Sequence, residues 1–162
     1  MYRRTAIIVD IDNTISYKNQ GDVSNIVTRQ DWDDFHKRQH YYLPELFQPI
    51  KEVVQTIQAL YKEYEPIVLF VTAREDTHDG VIKYNTLRFI NDNFRFLNDD
   101  YKLYMRTEND FSSSSDVKQK ILRDEILPNY YVVLAFDDET ANKDMFVENG
   151  ISVLQVFTPL IK

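Results

Sequence analysis

Two aspartates one residue apart, Asp10 and Asp12, follow the apolar run Ala6-Ile7-Ile8-Val9, with Asn13 and Thr14 behind them. The run reads as a buried parallel strand. Side chains alternate along a strand, so both carboxylates fall on one face. They stand at the strand's carboxyl end, where open α/β sheets bind ligands. Two carboxylates facing one way repel unless their roles differ. A divalent cation accommodates one, and a proton shared with a substrate oxygen accommodates the other. That division of labour is what phosphoryl transfer to an aspartate needs. Asp and Asn are also ordinary turn residues, so the pair gains weight only if other chemistry arrives at the same edge.

The elements along the chain bring it there. Residues 16–45 are polar and aromatic without a long periodic pattern, and read as an insertion over the strand's end: a flap, then a short helix near 31–39. Pro49 opens a helix with Ile50, Val53, Val54, Ile57, Leu60, Tyr61 and Tyr64 at helical spacing. After Pro66, the uniformly apolar residues 67–71 predict a strand covered on both sides. That strand ends in Thr72-Ala73-Arg74. A helix over 80–94 is expected to turn Tyr84, Leu87, Ile90 and Phe94 inward, and a weaker strand follows at 102–105. Ser112 to Ser115 read as the cap of a helix over 116–127, closed by Pro128. A buried strand at 130–136 runs into Asp137-Asp138-Glu139. A short helix to Asn149, a Gly150 cap and a strand over 152–157 complete the pattern. Alternating strands and helices predict an α/β fold with a mainly parallel five-stranded sheet, right-handed crossovers and helices on both faces. With no repeat or linker visible, residues 1–162 read as one domain carrying the insertion at 16–45.

Composition narrows the function classes. Hydrophobic residues at 43% and aromatics at 14% exclude a disordered chain, and the absence of cysteine excludes disulfides and thiolate zinc sites. The basic start, Met1 to Thr5, is followed by an apolar stretch that Asp10 interrupts, so no signal segment is expected. A cytoplasmic location, the host's if the source is viral, is the expectation. A net charge of -7 argues against tracking long duplexes by neutralising many phosphates. A small footprint on one strand end, or a small phosphorylated molecule, stays open.

Three strand ends therefore carry polar groups at one edge: Asp10 and Asp12, Thr72 and Arg74, Asp137 and Asp138. Lys118 adds a cation near the start of a helix. Singly, each has an ordinary reading as a cap, turn or surface charge; their common position has none. The order D-x-D-x-T, Thr, Lys, paired Asp over residues 6–157 resembles the haloacid dehalogenase (HAD) superfamily of phosphotransferases. Leu103-Tyr104-Met105-Arg106, Asp116-Val117-Lys118 and Leu134 to Glu139 are similar to the 3′-phosphatase domain of bacteriophage polynucleotide kinase. Arg74, Arg106 and Lys118 match that family's arginines and lysine. The chain departs from it at Lys18-Asn19-Gln20-Gly21, where the family carries an arginine, and at Thr72-Ala73-Arg74, where it more often has Ser-Gly-Arg. Nothing in residues 1–162 resembles that enzyme's kinase half with its phosphate-binding glycine loop.

The resemblance implies a Rossmann-like HAD fold and an aspartyl-phosphate mechanism. Asp10 would be the nucleophile and Asp12 the general acid and base. Thr72 and Lys118 would offset charge on the phosphate, and Thr14 would fix the turn. Mg²⁺ would be held by Asp10, Asp12 through its carbonyl, and Asp137 or Asp138. Arg74 and Arg106 would grip a further anion. The expected activity is removal of 3′-phosphates from DNA or RNA ends in nucleic-acid repair. The alternatives are a small-molecule phosphatase such as a nucleotidase, or a catalytically silent binding domain. Trp32, Phe35, Tyr41 and Tyr42 are candidates for base stacking or for packing the insertion. His36, His40 and His78 lack metal-site spacing and receive no role.

Overall fold

The computed structural model describes residues 2–18 and 24–157. Its sheet has five strands: β1 (Arg4–Val9), β4 (Ile67–Asp76), β5 (Tyr101–Thr107), β6 (Tyr130–Asp137) and β7 (Ser152–Gln155), in the order β5-β4-β1-β6-β7. All pairings are parallel. The apolar runs are unbroken because each face of the sheet has its own core. On one side Ala6, Ile8, Ile67, Leu69 and Val71 pack with Val117, Ile121, Met145 and Phe146 of α4 (Ser114–Ile121) and α5 (Thr140–Glu148). On the other, Ile7, Val9, Val68 and Phe70 meet Ile57 of α2 (Lys51–Tyr64) and Ile90 of α3 (Val81–Asn93). The alternation continues into Asp10, which follows Ala6 and Ile8 onto the α4 side.

The chain leaves the sheet after β1 through β2 (Ser16–Tyr17), which pairs antiparallel with β3 (Gln48–Pro49). Between them lies α1 (Arg29–Tyr42), longer than the expected 31–39. Its start is set by a capping box in which Thr28 accepts from the Asp31 amide and Asp31 accepts from the Thr28 amide. The first residues of the expected flap beyond Lys18, 19–23, lie outside the described residues. Pro49 belongs to β3, two residues ahead of α2.

Several boundaries differ from the sequence reading for identifiable reasons. The second motif does not follow a finished strand: β4 runs on to Asp76, and its pairing moves from Val71↔Tyr104 to Glu75↔Arg106. Two extra residues on β4 form a bulge, a device that re-aims side chains near functional sites. On α3, Ile82, Thr86 and Ile90 are buried while Tyr84 is 66% exposed, and Tyr64 on α2 is likewise exposed. The serine run caps as expected, with Ser113 accepting from the Asp116 amide, but the helix starts at Ser114 and becomes a π-helical turn over Leu122–Ile126. No helix among the described residues is long and apolar enough to cross a membrane.

Candidate active site

The carboxyl ends of β1, β4 and β6 meet at a cleft of about 520 Å³ whose wall includes Asp10, Asp12, Thr72, Arg74 and Arg106. Asp10 is held from both sides. Its Oδ2 accepts from the Thr14 hydroxyl at 2.7 Å, and its Oδ1 accepts from Lys118 Nζ at 2.7 Å. The Lys118 ammonium also reaches Asp137 Oδ2 at 2.7 Å, so it bridges the ends of β1 and β6. All three charged groups are buried. Asp137 Oδ1 is occupied too, by the Glu139 amide and by Asn142 Nδ2 of α5 at 3.1 and 3.0 Å.

Buried charges move one another's proton affinities. Burial would push the Lys118 ammonium down, but Asp10 and Asp137 more than reverse this and hold it raised. Burial raises the Asp10 carboxyl well above the usual range; Lys118 opposes this, while Asp137 and Asp138 add to it. Asp138 is pushed up to about 6, by burial first and by Asp137 second.

Asp12 faces different partners. Arg74 donates to both its oxygens, Nε at 2.9 Å and Nη2 at 2.7 Å, in a forked pair. The guanidinium is only 4% exposed; it also donates to Thr86 Oγ1 at 3.1 Å and lies 4.7 Å from the Phe47 ring centroid. His40 Nε2 approaches Asp12 Oδ2 at 3.4 Å. Burial alone would raise the Asp12 carboxyl, but Arg74 and then His40 hold it well below the usual range. His40 itself is lowered to about 4, by burial and by Arg74.

The structure thus places Asp10, Asp12, Thr14, Thr72, Arg74, Arg106, Lys118, Asp137 and Asp138 at one end of the sheet, with altered partners for some, while Trp32, Phe35, Tyr41 and Tyr42 are not part of the cleft wall. Thr72 lies on the cleft wall and accepts the Arg74 amide at 3.2 Å inside the β4 bulge. Thr14 also reaches Asp138 Oδ1 at 3.5 Å. Lys118 lies behind Asp10, between two carboxylates. Arg74 is tied to Asp12. Arg106 lies within β5 and donates to the carbonyls of Ala73, Asp110 and Ser112. Both arginines, expected as grips for an anion, therefore also brace protein groups.

Three residues escaped the sequence reading. His40 reaches Asp12 because α1 carries it on one face with Trp32 and His36, whose rings stack in turn at 5.7 and 6.5 Å. The i, i+4, i+8 spacing marks that face, but not what it covers. Lys18 turns its ammonium over the Phe35 ring at 4.7 Å and finds no hydrogen-bond partner among the described residues. Burial lowers it to about 8, Asp12 opposing and Arg74 adding. It is the first residue of the stretch Lys18-Asn19-Gln20-Gly21, where the sequence reading expects the family's arginine. Asn142 carries no motif signal, since its partner Asp137 lies on another element.

The donor set suits a hard divalent cation. Asp10, Asp137 and Asp138 each present a carboxylate oxygen, all within 4.8 Å of one another. Against three carboxylates Lys118 supplies one positive charge, and the raised Asp10 and Asp138 carboxyls register the shortfall. The Asp12 carboxylate is not part of this group; it is turned to Arg74.

Comparison with known proteins agrees with this architecture. The family model described as the polynucleotide kinase PNKP phosphatase domain matches residues 4–159. Among solved structures, a chain of a Pnkp1/Rnl/Hen1 complex is 24% identical with a TM-score of 0.67, over 95% of this chain and 45% of that one. A chain of the Pnkp1/Rnl/Hen1 RNA repair complex is 22% identical with a TM-score of 0.71, over 95% and 42%. A haloacid dehalogenase-like hydrolase from Streptococcus pneumoniae shares the fold at 12% identity and a TM-score of 0.56, over 94% and 84%. No curated protein matches the chain. The chain spans less than half the length of the two repair-complex chains. The match across nearly all its residues places it in the polynucleotide kinase PNKP phosphatase domain family, as a phosphatase of the haloacid dehalogenase type.

Proposed function

We propose that the chain is a Mg²⁺-dependent polynucleotide 3′-phosphatase, with residues 1–162 acting as one domain and the excursion around α1 as a small cap. The observation that carries this is the Asp10 carboxylate, held by Thr14 and Lys118 at an open cleft whose second aspartate sits in a separate electrostatic environment. Family membership and the solved repair-complex relatives support a nucleic-acid end as substrate. Among the described residues the cap contributes one α-helix, α1, which leaves room for a strand terminus.

In this reading Asp10 attacks phosphorus in line. Its oxygen–phosphorus bond forms as the bond to the 3′-oxygen breaks, giving an aspartyl-phosphate. Asp12 gives its proton to the leaving 3′-oxygen, then takes one from the water that hydrolyses the intermediate, releasing phosphate and restoring Asp10. Lys118 offsets charge on Asp10 as the dianion approaches. The Thr72 hydroxyl and cleft-facing amides donate to the equatorial oxygens. Lys18 and Arg74 attract the incoming dianion; when Arg74 shares itself with phosphate, its hold on Asp12 weakens and Asp12 can take up a proton.

Mg²⁺, when bound, supplies positive charge against the carboxylates and the phosphate oxygens. Asp10 and Asp138 would hold it together with the Asp12 carbonyl. Asp137 is better suited to orientation, because Lys118, Asn142 and the Glu139 amide already occupy both its oxygens. The test is phosphate release from a 3′-phosphorylated oligonucleotide against mononucleotides and sugar phosphates, with Asp10→Asn as the blank. Preference for the oligonucleotide supports the reading; equal or faster release from mononucleotides replaces it with a small-molecule phosphatase.

A further inference from the structure

We infer that Phe111 is the platform on which the terminal base of the strand stacks, and so determines specificity for the polymer; this rests on the proposed 3′-phosphatase activity. Phe111 is 72% exposed, and among the described residues it is the one large apolar side chain both exposed and part of the cleft wall. Exposing a phenylalanine forfeits about 1.5–3 kcal/mol of burial. A ring at a cleft mouth normally folds back onto the protein unless its backbone prevents it.

Here the backbone on both sides of Phe111 is pinned, and the ring stands exposed at the cleft. Arg106 Nη1 donates to the carbonyls on either side of Phe111, Asp110 O at 2.9 Å and Ser112 O at 2.5 Å. The Ser112 amide returns to Asp110 Oδ1 at 3.0 Å, closing an Asx turn with Phe111 at its apex. The approach to the turn is fixed as well: the Asp110 amide donates to Thr107 O at 3.1 Å, and the Asn109 amide donates to Glu75 Oε1 at 3.1 Å. Arg106 Nε holds the Ala73 carbonyl at 2.9 Å, inside the same β4 bulge that aims Thr72 and Arg74. One guanidinium therefore fixes the Phe111 turn relative to the phosphate-binding motif.

The other aromatic candidates are already engaged. Trp32 packs against Phe35 and His36, Phe35 lies beneath Lys18, and Tyr41 pairs with Tyr42 while donating to Asp79. Phe111 has no ring partner among the described residues. A planar, sequence-tolerant π-face suits a nucleobase and offers little to a sugar phosphate.

The test compares Phe111→Ala with Phe111→Trp on two substrates, a 3′-phosphorylated oligonucleotide and glycerol 2-phosphate, which has no ring to stack. The expected result is a loss of about tenfold or more in kcat/KM for the oligonucleotide with Phe111→Ala, carried by KM. Phe111→Trp should retain activity, and glycerol 2-phosphate turnover should stay unchanged. In the Asp10→Asn background, Phe111→Trp fluorescence should be quenched by the oligonucleotide and not by inorganic phosphate. Equal losses on both substrates, or no loss on either, overturns the inference, as does unquenched fluorescence on binding. If the unaltered protein hydrolyses glycerol 2-phosphate and ignores the oligonucleotide, the proposed function itself fails instead.

Discussion

Replacing Lys118 by methionine removes one charge from the centre of the buried network and leaves the side-chain volume nearly unchanged. Each of its two 2.7 Å contacts is worth about 6 kcal/mol of Coulomb attraction at an effective dielectric near 20, before desolvation is counted. After desolvation, breaking a buried pair by removing one partner costs about 3–5 kcal/mol. For a chain of this size that is a fall of roughly 6–20 °C in melting temperature. The measurement is thermal and urea unfolding in EDTA, with circular dichroism to verify the fold. The pH dependence carries the sharper test. Asp10 and Asp138 already bind protons more readily folded than unfolded, and losing Lys118 raises them further. The folded variant then holds more protons than the unfolded one between roughly pH 4 and 7, so its stability falls as pH rises through that window and returns on acidification. Adding Asp137→Asn should restore part of the loss at pH 7. A Lys118→Met variant within about 1 kcal/mol of the unaltered protein, or with the same pH slope, would refute the account of this network.

Three further outcomes follow from the same geometry. Millimolar Mg²⁺ should raise the melting temperature, by about 2.7 kcal/mol of stability at a hundredfold excess over Kd, and Asp138→Asn should abolish the rise. Arg74→Lys keeps the charge but loses the forked pair with Asp12; kcat/KM should drop about 10- to 100-fold, and the alkaline limb of its pH profile, where the general acid loses its proton, should move up as the Asp12 carboxyl rises. Lys18 is charged below about 8, so inhibition by inorganic phosphate should weaken as pH passes that value. Lys18→Met should flatten the dependence, and an unchanged profile would remove Lys18 from the anion site.

The strands β1, β4 and β6 were legible because burial on both faces leaves an uninterrupted apolar run. The continuation of β4 through Thr72 and Arg74 was not, since a bulge leaves no trace in hydrophobic periodicity. Tyr64 and Tyr84 fit the helical period yet face solvent, because an amphipathic ring satisfies either side. Thr86, polar and buried, takes an inner position on α3 because its hydroxyl accepts from Arg74 and donates to the Ile82 carbonyl. At the site, residue types and order were readable; the partnerships were not. That Lys118 bridges Asp10 to Asp137 depends on adjacency of α4, β1 and β6, and that Arg74 grips Asp12 and His40 joins them depends on adjacency of β4, β1 and α1.

Those partnerships set the two aspartates in opposed states. Asp10 is raised by burial among carboxylates, and Asp12 is lowered by Arg74 and His40. On the proposed mechanism the first half-reaction needs the reverse, an ionised nucleophile and a protonated acid. Two events would supply the inversion, each acting on one aspartate: a divalent cation held by Asp10 and Asp138 would lower Asp10, and a phosphate dianion that engaged Arg74 would free Asp12 to rise. The second half-reaction needs Asp12 as a base, and phosphate transfer to Asp10 moves the charge that had drawn Arg74 away. The resting ion pair is thus the state to which the site returns, and it keeps the acid unprotonated until a phosphate is present. The division follows from the fold: α4 supplies the cation for Asp10, the β4 bulge supplies the cation for Asp12, and neither side chain touches the other's partner.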